Sequence, residues 1–359
     1  MAKKNTFEVM HEFVEPARKN ISHGNWDYLM GAAETETTHR RNRLALDSLA
    51  FRPRVLRDVV DVDCGTEFLG HRLRLPVILA PIGSLQDLVE GGGAVPTRAA
   101  ARFGCLHMLS SVCAPGIEAV AQAAKDYPKI FQIYVRGDPN WVDDLVAQAV
   151  SLDYTAVCFT VDLDYYGRRE RDKAKRFKPT ARRHGVTHEE QRRFAWTDIE
   201  RIRGKFDCPL IIKGIATVED ALIAADVGVD VVYVSNHGGR QLDHGLGSAA
   251  MLRPIVEALD GRCQTIIDGA FLRGTDIVKA MALGADAVGI GRLQGLAAAA
   301  AGEDGIVRML ELLEEEIEGT LGMLGVTSYK ELDASHLSDA PVPYFSGWHP
   351  AFPLVDEGY

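Results

Sequence analysis

Between residues 76 and 291 the chain repeats one local pattern eight times: a short apolar run rich in strand formers, usually followed by a helical stretch. The runs are PVILAP (76–81), LHMLSS (106–111), IFQIYV (130–135), TAVCFTVD (155–162), PLIIKG (209–214), VVYVSN (231–236), TIIDG (265–269) and DAVGIG (286–291). Continuous apolar runs, as opposed to alternating ones, belong to strands buried on both faces, as in parallel sheets. Helical patterns such as VEDALIAADVG (218–228) and GTDIVKAMALG (274–284) lie between most of them. Eight such units predict an α/β chain folded as a (β/α)8 TIM barrel. A doubly wound sheet is the alternative, but eight evenly spaced units favour closure.

Outside this repeat the reading is coarser. The first seventy residues read as helices with polar links, at 5–18, about 25–32 and 37–49. The chain therefore divides into an N-terminal helical segment (1–74), a barrel (75–325) and a C-terminal tail (326–359), expected to form a single domain. At 359 residues and 47% hydrophobic, it can bury a full core. Its net charge of −10 argues against nucleic acid or an anionic membrane as a main partner. The opening MAKKNTFEVMHEF lacks the apolar run of a secretory leader, and GLAAAAAG (295–302) is too short to span a bilayer. Six scattered cysteines without a C-x-x-C pair read as free thiols, and a cytoplasmic location is expected. The close pair His184 and His188 sits in a charged stretch, and no metal site is expected there.

One connection is out of proportion. After TVDLDYYGRRE, the stretch RDKAKRFKPTARRHGVTHEEQRRF precedes a helix at about 197. A long, mostly charged loop after strand 4 is either a solvated connection or a cationic lid over a site for anions.

In a parallel barrel, chemistry sits at the C-terminal ends of the strands. Here those ends carry Pro81-Ile82-Gly83, Ser110-Ser111, Gln132 and Tyr134, and Thr160 and Asp162 with Arg168 and Arg169 beyond. The remaining four carry Lys213, Ser235-Asn236-His237, Asp268-Gly269 and Gly291-Arg292. One polar strand end is ordinarily structural. A ring of them with a lysine, a histidine and arginines predicts an active site at this rim. The loops after strands 7 and 8, DGAFLRGTD and GIGRLQG, offer glycines, Arg273, Arg292 and helix N-termini for a phosphate. Lys213, Gln132, Thr160 and Ser110 suit a polar planar ring system. Arg169 and Arg240 suit a carboxylate, which places His237 beside the neighbouring carbon as a base.

These residues resemble the FMN-dependent 2-hydroxy acid oxidases and dehydrogenases. The most specific piece is SNHGGRQLD (235–243), supported by RPRVLRDV (52–59), LSS, FQIYV, TVD…GRRE, KG, DG…RGTD and GIGR. The resemblance spans about Tyr28 to His336. It implies FMN as cofactor and oxidation of an (S)-2-hydroxy acid to the 2-oxo acid. His237 is then the base, and Asp162 its partner, raising its pKa once it has taken the proton. Arg169 and Arg240 bind the substrate carboxylate, with Tyr28 and Tyr134 on its polar groups. Lys213 stabilises reduced flavin. Pro81, Ile82, Gly83, Ser110, Gln132, Thr160 and Ser235 hold the ring and ribityl, and Asp268, Gly269, Gly291 and Arg292 the ribityl and phosphate end. Electrons pass to O2, a quinone or another protein, and a homotetramer is expected.

The chain also departs from the family pattern. Leu272-Arg273 replaces an arginine pair before Gly-Thr-Asp, so either FMN retention weakens or Arg273 takes over the phosphate. Ile82 replaces a threonine, and Val112 stands where an aromatic is frequent. Small Val112 and Gly83 suggest a substrate larger than glycolate, unless Tyr166 refills the space. Two other readings remain at this point: an FMN- or phosphate-binding barrel with isomerase-like chemistry, and a binding homologue that has lost its chemistry.

Overall fold

Eight parallel strands close on themselves: β1 (Val77–Leu79), β2 (Leu106–Ser110), β3 (Ile130–Ile133), β4 (Ala156–Thr160), β5 (Leu210–Ile215), β6 (Val231–Val234), β7 (Gln264–Ile267) and β8 (Ala287–Ile290). Each pairs with the next, and β8 returns to β1 in the register Val288 to Val77 and Ile290 to Leu79. The computed structural model describes residues 7–183, 188–345 and 347–358. The strands fall where the apolar runs predicted them, to within two residues at either end, and the expected (β/α)8 barrel is the observed fold.

Side chains alternate between two cores, because successive strand residues point to opposite faces. Ile78, Leu106, Met108, Ile130, Ala156, Cys158, Ile211, Val231, Tyr233, Ile266 and Ala287 fill the barrel interior. Their neighbours, such as Leu109, Phe131, Val157, Phe159, Ile212 and Val232, pack outward against the helices. Extending the inward row to the C-terminal strand ends reaches Ser110, Gln132, Thr160, Lys213, Ser235 and Asp268. The interior thus changes from apolar to polar at one end only.

The N-terminal segment departs from the helical expectation near its start, at the strand Leu49–Phe51 and at residues 66–73. The first α-helix is Val14–Asn20, preceded by a 3-10 turn at Met10–Phe13, not a helix from residue 5. Pro16 lies in its first turn, where a missing N–H costs no helical hydrogen bond. Residues 66–73, read as part of a helical segment, form a hairpin of Thr66–Phe68 against His71–Leu73. Phe68 and Leu73 join the interior cluster and plug the mouth opposite the polar end. Helices His23–Met30 and Thr37–Asp47 match the other two expected helices to within two residues. The long helix Arg292–Leu324 is interrupted at Ala301–Gly302, and Leu337–Asp339 then pairs antiparallel with Leu49–Phe51. Among the described residues no helix is long and apolar enough to cross a membrane.

A buried ion pair ties the N-terminal segment to the functional end. Arg43 grips Asp276 with both terminal nitrogens (2.8 and 2.7 Å) and also donates to the Ala270 carbonyl (3.2 Å). Asp276 in turn accepts the Leu272 and Arg273 backbone N–H groups (3.0 and 3.1 Å), so this pair shapes the loop after β7.

Phe68 is fully buried in the barrel plug. Phe68→Ala is expected to destabilise the fold by about 3–5 kcal/mol, read as a lower urea midpoint with unchanged slope.

Candidate active site

The polar end opens into a cavity lined by the strand ends, the N-terminal segment and the loop after β4. Its floor is a hydrogen-bonded chain. Lys213 Nζ donates to Ser235 Oγ (2.9 Å), and Ser235 Oγ donates to Asp268 Oδ1 (2.6 Å). Asp268 Oδ2 lies 3.5 Å from the ammonium. Burial works against the Lys213 charge, but Asp268 and Asp162 overcome it and raise its pKa, so the lysine is cationic. Beside it, both amide atoms of Gln132 and the hydroxyl of Thr160 are buried without a partner. Such groups are rarely left unsatisfied, and the polar edge of a flavin ring would satisfy them.

His237 follows β6 directly. Asn236 exchanges two hydrogen bonds with Asn42 and accepts the Gly239 N–H, clamping the turn. His237 itself takes φ +58°, a left-handed conformation that a non-glycine residue holds only when its surroundings enforce it. Its Nδ1 lies 2.9 Å from Asp162 Oδ1. Asp162 reaches that position because Gly214, at φ +118°, has no Cβ; one would come within 2.9 Å of the Asp162 Cβ. Burial opposes the Asp162 charge, yet His237 and Lys213 hold its pKa below the usual carboxylate range. An ionised Asp162 keeps the imidazole proton on Nδ1 and leaves Nε2 as the basic atom. For His237, burial is the largest influence and lowers its pKa, Asp162 pulls it back up, and Lys213 pushes it down. The net direction is downward, so the ring is neutral at neutral pH and ready to accept a proton. The raising effect of Asp162 expected from the sequence is present but outweighed by burial in the free protein. Tyr134 stacks on His237 at 6.5 Å, and burial raises the pKa of both Tyr134 and Tyr28, keeping the phenols protonated.

Five arginines line the cavity: Arg136, Arg169, Arg182, Arg240 and Arg292. Among the described residues none pairs with a carboxylate. Arg240 donates to the carbonyls of Tyr28 (2.6 Å) and Gly31 (2.9 Å), at the C-terminus of helix His23–Met30. Arg292 donates to Gly31 and Gly238 carbonyls (2.9 and 3.0 Å). Arg169 and Arg182 stack on Tyr166 at 4.1 and 3.3 Å from its ring centroid. Burial lowers the pKa of Arg240, with help from Arg169, and burial with Arg240 pushes that of Arg292 down to about 9. Cations crowded this way favour an anion in the cavity.

Of the residues singled out from sequence, Tyr28, Pro81, Ile82, Gly83, Tyr134, Arg169, Lys213, His237, Arg240, Asp268, Gly269, Gly291 and Arg292 line the cavity. Ser110, Gln132, Thr160 and Ser235 are buried in the layer at its floor, and Asp162 stands behind His237. Arg273 is a correction. It points away from the cavity, held by Glu316 (2.6 Å) and the Ala351 carbonyl (3.2 Å), so it does not take over the phosphate. The loop after β4 contributes Pro179, Ala181, Arg182 and His188 to the wall, while His184 lies outside the described residues. Sequence reading missed Arg136, two residues past the strand end Tyr134, which a longer window would have caught. It also missed His39 and His349, for which no local signal exists.

A parallel barrel with this floor and this cationic wall suits an anionic ligand with a polar, planar ring. The chain matches the FMN-dependent dehydrogenase family model over residues 17–339. It is 33% identical over 358 residues to glycolate oxidase 3 of Arabidopsis thaliana, covering 93% of this chain and 97% of that protein. It is 37% identical over 348 residues to a peroxisomal (S)-2-hydroxy-acid oxidase of Oryza sativa subsp. japonica, covering 91% and 95%. Among solved structures, mandelate oxidase superposes with a TM-score of 0.86 at 34% identity, covering 93% of this chain and 99% of that one. A mandelate oxidase variant with a C4a-OH-FMN adduct gives 0.83 at 35% identity, covering 92% and 98%. The chain belongs to the FMN-dependent dehydrogenase family, in its 2-hydroxy acid oxidase branch; it is an oxidoreductase, and its cofactor is FMN.

Asp162→Asn removes the charge that orients His237 and stabilises its protonated form. Turnover is expected to fall by about 10²-fold or more, with FMN content unchanged, as measured by flavin absorbance and rapid-reaction kinetics.

Proposed function

We propose that this chain oxidises (S)-2-hydroxy acids with a side chain larger than that of glycolate to their 2-oxo acids, and returns the electrons to O2. The carrying observation is the Asp162-held His237, with Nε2 free, beside Arg169 and Arg240, which have no carboxylate partner. Two guanidiniums at one wall bind and orient a carboxylate. The tyrosines Tyr28 and Tyr134 donate to its oxygens or to the hydroxyl. His237 Nε2 takes one proton from the reacting carbon centre or its hydroxyl, and Asp162 stabilises the imidazolium that results. FMN, when bound, accepts the two electrons, and Lys213 supplies the positive charge that favours its reduced form. The substrate loses two electrons and two protons overall, and O2 takes them to become hydrogen peroxide. The oxidase names of the relatives support oxygen as acceptor.

The larger substrate follows from the non-cationic part of the cavity lining. Gly83, Val112, Leu163 and Ala181 line it with small or apolar surface. Tyr166 lines the same cavity, its ring in contact with Arg169 and Arg182.

Anaerobic mixing with a panel of 2-hydroxy acids tests the reading. Bleaching of the flavin by (S)-2-hydroxy acids with alkyl or aryl side chains, faster than by glycolate, is expected, followed by reoxidation and peroxide release in air. A flavin that no member of the panel reduces would sink the proposal. His237→Gln is expected to retain FMN and lose about 10²–10⁴-fold in the reduction rate. Because the His237 pKa is lowered below 6.5, kcat/KM should hold level through neutral pH and decline only on the acid side, as the base becomes protonated. A decline centred above pH 7 on the acid limb would contradict the assignment.

A further inference from the structure

The loops after β7 and β8 close one end of the cavity, where parallel barrels frequently hold a phosphate. Fixed cations are scarce at that end of this chain. Leu272 lines it with an apolar side chain, and Arg273 is turned outward to Glu316. Arg43 lies nearby but is committed to Asp276 and Asp47. Arg292 remains, with its Nε buried and unpartnered.

Two imidazoles, from opposite ends of the sequence, line the same cavity. His39 comes from helix Thr37–Asp47, and its Nδ1 is buried without a partner. The helix can approach this closely because Gly239, at φ +77°, has no Cβ; one would come within 2.5 Å of the His39 backbone nitrogen. His349 comes from the C-terminal segment, beyond residue 339 where the family match ends. That segment is docked. Phe352 is buried and packs against the His349 and Trp348 rings at 5.5 and 6.1 Å, and Ala351 accepts from Arg273. The Ala351 N–H donates to His349 Nδ1 (3.1 Å), which puts the ring proton of the neutral imidazole on Nε2, where it can be donated to a ligand.

We propose that His39 and His349 join Arg292 as the cradle for the FMN phosphate, and that the C-terminal tail is the element completing this end of the site. A phosphate carries oxygens for several donors at once, and these three side chains come from three separate elements around one end of the cavity. Their electrostatics agree. For His349, burial, Arg43 and Arg292 push the pKa down to about 4 against the pull of Asp276. For His39, burial, Arg292, His349, Arg171 and Arg240 all lower it. An entering phosphate would offset those influences and accept hydrogen bonds from both rings. The inference rests on FMN as cofactor, not on the base or the substrate.

The test compares FMN with riboflavin, which has the same ring and ribityl but no phosphate. Flavin-free protein is titrated with each, following quenching of flavin fluorescence. His349→Phe keeps the aromatic packing and removes the donor; His39→Leu keeps the helix. Each is expected to weaken FMN about tenfold or more while riboflavin changes less than about twofold. If the FMN-to-riboflavin affinity ratio stays at the wild-type value in both variants, the proposal is overturned. Because the readout is binding, this outcome is independent of whether any hydroxy acid is oxidised.

Discussion

Everything in the site depends on the alternation of side chains along strands that are closed into a ring. Each barrel strand sends every second residue inward, and closure allows no strand to slip without moving its whole inward set to the outside. Lys213, Ser235 and Asp268 therefore meet because each is the next inward position beyond the apolar interior, on three neighbouring strands. Their network is buried, so each charge is held by the others rather than by water. The plug of Phe68 and Leu73 at the far mouth keeps the interior closed on that side, leaving the polar end as the open one.

The second layer of organisation is an unequal charge balance. Lys213 and five arginines face Asp162 and Asp268 around one cavity. The arginines are held by backbone carbonyls and by a tyrosine ring, neither of which cancels a charge. The carbonyls come from the C-terminus of helix His23–Met30, where the helix dipole is negative, so the N-terminal segment positions Arg240 and Arg292 without neutralising them. The same low-dielectric setting keeps His237 neutral. One environment thus binds anions and maintains a base, because burial disfavours a proton on the imidazole while the guanidiniums remain charged.

Much of this was legible in the sequence, for identifiable reasons. Long apolar runs mark strands buried on both sides, and the polar residue ending each run marks the rim. His237, Lys213 and Asp162 were readable from that rule alone. Three-residue strands such as Thr66–Phe68 carry too little pattern to distinguish from a helical segment. Arg273 adjoins Leu272 in the chain, yet the two face opposite ways, because Asp276 fixes their backbone N–H groups and turns the loop. His39 and His349 are separated by most of the sequence, so no local window could pair them.

The sequence by itself determined the barrel, the rim on which chemistry sits and the family to which the chain belongs. These follow from short-range regularities: strand periodicity, helix periodicity and the polar residue after each apolar run. Only the tertiary structure decided which cations face the cavity, which are consumed by acids outside it, and what the terminal segments contribute. Those outcomes depend on competition between partners distant in sequence. Glu316 captures Arg273, Asp276 captures Arg43, and the docked tail carries His349 to the end of the cavity that Arg273 leaves. Such choices are settled by the three-dimensional placement of charge and burial, which no stretch of the chain encodes alone.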